Sequence, residues 1–103
     1  MPNYTEETEI YLLMSKDEKK ARGFKDRNKS FTFAFTCRDK AKVFLENAQT
    51  VGILSDVNLL YQMTVGEYFQ WQEEGKTEAQ LTIDPAPDIL KHPVFALSRF
   101  QNN

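Results

Sequence analysis

The chain holds one cysteine and one histidine, so nucleophilic or metal chemistry would have to begin from Cys37 and His92. Cys37 is expected in the first turn of a helix, where the dipole can lower a thiol pKa and make the sulfur reactive. The simpler role is a small buried apolar residue filling a strand-to-helix corner. His92 precedes Pro93 in an expected turn, which suits a surface or capping residue better than a general base. A metal site needs several ligands at close spacing, and one Cys with one His falls short. Glu73 and Glu74 adjoin on an expected helix and so point apart, which suits solvent rather than acid-base work. No catalytic residue, metal site or cofactor is therefore expected, and a thiol enzyme built on Cys37 is the one catalytic alternative.

Binding chemistry has more to work with. Residues 16–29 carry seven positive charges against three negative, in a chain whose formal net charge is -2. Such a segment could hold a phosphorylated ligand or nucleic acid by point charges, with Lys19, Lys20, Arg22, Lys25 and Arg27 as the anion contacts. The plainer role is a mobile, solvated hairpin loop. Only Phe24 interleaves with the cations and Gly23 stands alone, which argues against base stacking and against a phosphate cradle. Nucleic acid is thus not the expected partner. Aromatic residues supply the other candidate surface: Tyr68 and Trp71 on an expected helix, and Phe95 and Phe100 near the end of the chain. Exposed aromatics concentrate binding energy at protein interfaces. If the apolar strip Val94, Phe95, Leu97 and Phe100 is not covered by the domain itself, it is an oligomer or partner surface.

The elements that must position these residues are readable over residues 30–84. Phe31, Phe33 and Phe35 alternate with small or polar residues, and a period of two places all three rings on one face of a strand. That face has to be buried. Thr36 stands three residues before Asp39, the arrangement of a helix start, and Ala41, Phe44, Leu45 and Ala48 then form one apolar helical stripe. Residues 57–63 are nearly continuous apolar sequence, as expected of a strand covered on both faces. Thr64 and Glu67 make a second capping box. Val65, Tyr68 and Phe69 mark the inner face of a helix, with Trp71 off that stripe, and Gly75 can end the helix in a left-handed conformation. Residues 79–83 are the last strand, stopped by Asp84 and Pro85. Upstream, Ile10, Leu12 and Met14 alternate with Tyr11 and Leu13 in a strand expected to pair antiparallel with the phenylalanine strand. Pro87 and Asp88 suit the first turn of a short C-terminal helix, which Pro93 interrupts.

A chain of 103 residues is one domain with one core, here expected over residues 1–103 with frayed termini. Its 41% hydrophobic and 13% aromatic content is too rich for a disordered chain, and no apolar run reaches the length of a membrane span. The first residues are acidic where a signal peptide would be basic and then apolar. One cysteine cannot form an internal disulfide, which fits a reducing compartment.

In the order of these features the chain resembles the SseB-like domain of bacteria. The resemblance covers about residues 9–90 and rests on the opening aliphatic strand, the pair Phe35 and Thr36 closing a Phe-rich strand, Asp39 and Ala41 in the helix that follows at once, Gly75 ending the second helix, and Ile83, Asp84 and Pro85 closing the last strand. Two departures stand out, a shorter chain without a second part and Asp84 where Asn is commoner. The resemblance implies a small alpha/beta domain acting through protein contacts, with no catalytic residues to carry over.

The expected architecture is α+β, with a mixed sheet of about four strands in the order β-β-α-β-α-β and a short C-terminal helix. Strand order stays open, and with it whether the two helices share a face. The expected function is a noncatalytic cytoplasmic interaction or regulatory module that self-associates as a homodimer or binds another protein, with no membrane contact. The alternative is an anion binder acting through residues 16–29.

Overall fold

Strand β1 (Glu9–Ser15) is the centre of the fold, because it has a strand on each side and buried side chains on both faces. The computed structural model describes residues 4–15 and 21–91. These form a sheet of five strands and two α-helices in the order β1, β2 (Gly23–Asp26), β3 (Lys29–Phe35), α1 (Arg38–Thr50), β4 (Val57–Thr64), α2 (Val65–Glu73) and β5 (Gln80–Ile83), followed by a 3-10 turn over Pro87–Lys91. The α+β class and the mixed sheet are as expected, with one strand more. That strand is β2, inside the basic segment expected to be a loop. Gly23 pairs with Thr32 there, and a Cβ on Gly23 would lie 1.7 Å from the Phe31 carbonyl oxygen, so only glycine fits.

Strand β3 lies at the crossing point of the pairings. Thr32 faces Gly23 of β2 on one side and Leu81 of β5 on the other, while Ala34 faces Leu12 of β1 and Ile83 of β5. A strand has two edges, so β2 and β1 share one edge of β3 and β5 takes the other. Pairings are antiparallel except for β3 with β5, and β4 lies beside β1 at the far side of the sheet.

Alternation along β1 and β3 divides the core in two. Leu13, Phe33 and Phe35 pack with Ala41, Phe44 and Ala48 of α1, whereas Ile10, Leu12, Met14 and Ala34 pack with Val65 and Tyr68 of α2. The helices therefore lie on opposite faces. Crossover handedness accounts for this: β3 to β4 crosses the sheet one way and β4 to β5 crosses back, so a single hand for both needs one helix on each face. Phe33 and Phe35 are buried as the period of two required, and Phe31 is half-buried, stacked on Phe24 at 4.9 Å. Full burial of one such ring contributes about 1.5–3 kcal/mol.

The two helix starts differ. At α2 the capping box forms as expected: the Thr64 hydroxyl accepts from the Glu67 amide at 3.1 Å and the Glu67 carboxylate accepts from the Thr64 amide at 2.9 Å. Amides of Val65 and Gly66 donate to the carbonyls of Thr8 and Glu6, both at 2.9 Å. The helix ends in a Schellman arrangement, with Gly75 at φ 77°, its amide on Gln72 and the Lys76 amide on Trp71. At α1 the expected Thr36 box is absent. The Thr36 hydroxyl is drawn away to Asp84, and Cys37, the N-cap residue, makes no side-chain capping bond.

Three further expectations are corrected. Cys37 is exposed rather than filling a buried corner. Phe69 is 45% exposed rather than on the inner face of α2, since Val65 and Tyr68 alone fill that narrow stripe. Strand β4 is not covered on both faces: Asn58, Leu59, Tyr61 and Gln62 are exposed along it, while Val57 and Met63 are buried.

Candidate functional site

On the side away from β1, no strand pairs with β4 among the described residues. Eight residues long, β4 contains no charge, proline or glycine. Natural sheets usually blunt an open edge with such residues or with a short strand. Leu59 and Tyr61 are each 41% exposed, and the alternation along β4 puts them on the α2 face together with buried Met63. The Tyr61 ring stacks on Trp71 of α2 with centroids 5.9 Å apart and planes 29° from parallel. A bulge interrupts the strand near its start: Met14 faces Leu59 and Ser15 faces Val57, so Asn58 is the extra residue. Beyond it the register is regular over residues 59–64.

Of the aromatic residues expected to contact a partner, the structure separates Tyr68 from Trp71. Tyr68 is fully buried, which corrects its expected role. Its hydroxyl donates to the Ala79 carbonyl at 2.7 Å, and its oxygen lies 3.1 Å from the Thr32 hydroxyl, which can donate to it. Trp71 is half-buried at the rim of the α2 core, beside Tyr61. Phe95 and Phe100, with His92, lie outside the described residues. Sequence alone missed Leu59 and Tyr61. An uncharged apolar run reads the same whether it is doubly covered or at an edge.

A second constellation closes the opposite side of the sheet, where β3 and β5 end together. Asp84 follows β5 with φ 50°, a left-handed backbone uncommon outside glycine. Its amide donates to the Ala34 carbonyl at 2.8 Å. Its carboxylate accepts from the Thr36 amide at 3.0 Å and from the Thr36 hydroxyl at 2.7 Å, and Lys40 approaches it to 3.6 Å. Partial burial pushes the Asp84 pKa up, but the two Thr36 bonds and the Lys40 charge together hold it below the ordinary aspartate value. Beside this clasp an open cleft of ≈ 470 Å³ runs over Phe35, Val43, Phe44 and Pro85, with Asp39, Lys40 and Asn47 at its border.

The basic segment is partly spent on structure. Arg22 forms an ion pair with Asp56 in the loop before β4, so its guanidinium is committed within the domain. Lys25 and Arg27 are exposed on the β2–β3 hairpin, Arg27 in its turn at φ 58°. Lys19 and Lys20 lie outside the described residues. Among the described residues no cluster of three or more His, Cys, Asp or Glu could hold a metal ion, and no helix is long and apolar enough to cross a membrane. No protein-family model, curated protein or solved structure matches the chain.

Proposed function

We propose that the protein is a noncatalytic cytoplasmic interaction module that takes a partner chain as an added strand along the outer edge of β4. Strand addition draws affinity from main-chain hydrogen bonds and specificity from alternate side chains. The carrying observation is the uncharged strand β4, with Leu59 and Tyr61 exposed upon it and no strand on its outer edge among the described residues. The exposed, unpaired Cys37 supports a reducing compartment. The resemblance to SseB-like domains, which implies work through protein contacts, points the same way. Anion binding by residues 16–29 has less support, since Arg22 is engaged by Asp56.

Purified protein on a sizing column, alone and after mixing with lysate, should run as a dimer or with a bound protein. Leu59→Lys should abolish that association, while Lys25→Glu combined with Arg27→Glu leaves it intact. A wild type that stays monomeric and retains nothing, or a Leu59→Lys chain that associates as before, would sink the proposal.

A further inference from the structure

We infer that the cleft beside the Asp84 clasp is the seat of this chain's own segment 94–100, with the Phe95 ring entering it first. One wall of the cleft is a face of α1, on which Lys40, Val43, Phe44 and Asn47 recur at i, i+3, i+4 and i+7. Val43 is 57% exposed there, an apolar side chain facing an open space of ≈ 470 Å³. That volume lies in the range of pockets that enclose an apolar ligand, and a few large side chains amount to as much.

The course of the chain selects the occupant. Pro85 and Ala86 form part of the cleft, and the 3-10 turn over Pro87–Lys91 then sets Ile89 and Leu90 against the core that α1 covers. Five residues of 3-10 turn advance about 10 Å, so Lys91 stands close to the cleft. Phe95 follows four positions later, and four extended residues span about 13–14 Å, enough to bring the ring back without altering the fold. Residues 92–103 supply Val94, Phe95, Leu97 and Phe100, with the charge of Arg99 and no acid. At the cleft Asp39 and Asp84 stand against Lys40, so the charges of seat and segment are opposite in sign. Covalent connection over so short a span gives an effective concentration on the order of millimolar, so a contact of few side chains suffices. This reading is independent of β4, and the failure of either leaves the other standing.

In a Cys37→Ser background, Val43→Cys paired with Phe95→Cys should close an intramolecular disulfide under mild oxidation about tenfold faster than Lys42→Cys paired with Phe95→Cys. Lys42 is exposed and lies about 100° round α1 from Val43, turned from the cleft yet equally near in the chain. Val43→Asp, a change at an exposed position, should raise the rate of tryptic cleavage after Arg99 about tenfold by shifting the segment out of its seat. Equal rates of cross-linking from positions 42 and 43 would overturn the inference, as would cleavage after Arg99 that Val43→Asp leaves unchanged. A disulfide that forms between two molecules instead of within one would assign the seat to another copy's segment and overturn it as well.

Discussion

The two flanks of the sheet are built on opposite plans. Strand β5 has four residues, and side chains tie both its ends: Tyr68 and Gln72 each donate to the Ala79 carbonyl at 2.7 Å before it, and Asp84 grips Thr36 after it. Strand β4 has eight residues, pairing with β1 along its inner side broken only by the bulge at Asn58, and no strand on its outer side among the described residues. A short strand gains little from its ladder and has to be fastened by side chains. A long one is held by its ladder and can leave an edge available, so stability and recognition fall on different flanks.

The largest test of that division is Tyr68→Ala. It removes a buried ring and the hydroxyl that holds the start of β5, and should cost about 3–5 kcal/mol in denaturant unfolding. A loss under about 1 kcal/mol would mean that the β5 flank is not fastened there. Next comes Asp84→Ala, which should cost about 2 kcal/mol, since it removes hydrogen bonds to a charged acceptor and leaves the Thr36 hydroxyl without that partner. The cost should shrink when Thr36 is already Val, and full additivity of the two changes would break the clasp as a unit.

Acid gives a graded version of the same cut. Because the folded pKa of Asp84 is depressed, its contribution is complete above the unfolded aspartate value of about 3.9. It is lost as pH falls from there through the folded value. The stability gap between wild type and Asp84→Ala should accordingly close on acidification, and a gap unchanged down to about pH 2 would mean that the carboxylate charge plays no part in the clasp. The smallest effect belongs to the other flank. Leu59→Lys should shift the unfolding free energy of the monomer by no more than about 0.5 kcal/mol, and a larger loss would mark the edge as structural rather than available.

What sequence could reveal follows from how far apart the cooperating residues lie. The alternation of Phe31, Phe33 and Phe35, the Thr64 and Glu67 box and the Gly75 terminator are each decided within a few positions, and each is found as expected. Thr36 looked like a helix cap by its spacing to Asp39, yet its hydroxyl goes to a residue 48 positions away. No local pattern announces such a partner. Strand order decides which apolar run is an edge, and that order depends on two crossovers rather than on β4 itself. Hence Tyr61, in a run expected to be covered, proved to be on the surface, and Tyr68, expected to be available, proved to be core. The position of Trp71 at the rim of the core, off the inner stripe of its own helix, was legible from its spacing.

The difference in length between the flanks also limits how far assembly can go. A partner strand added along β4 would occupy the long margin that no described strand fills, and the four-residue strand at the opposite flank is too short to recruit a further one on equal terms. Assembly by strand addition would then stop after one step instead of propagating into a filament.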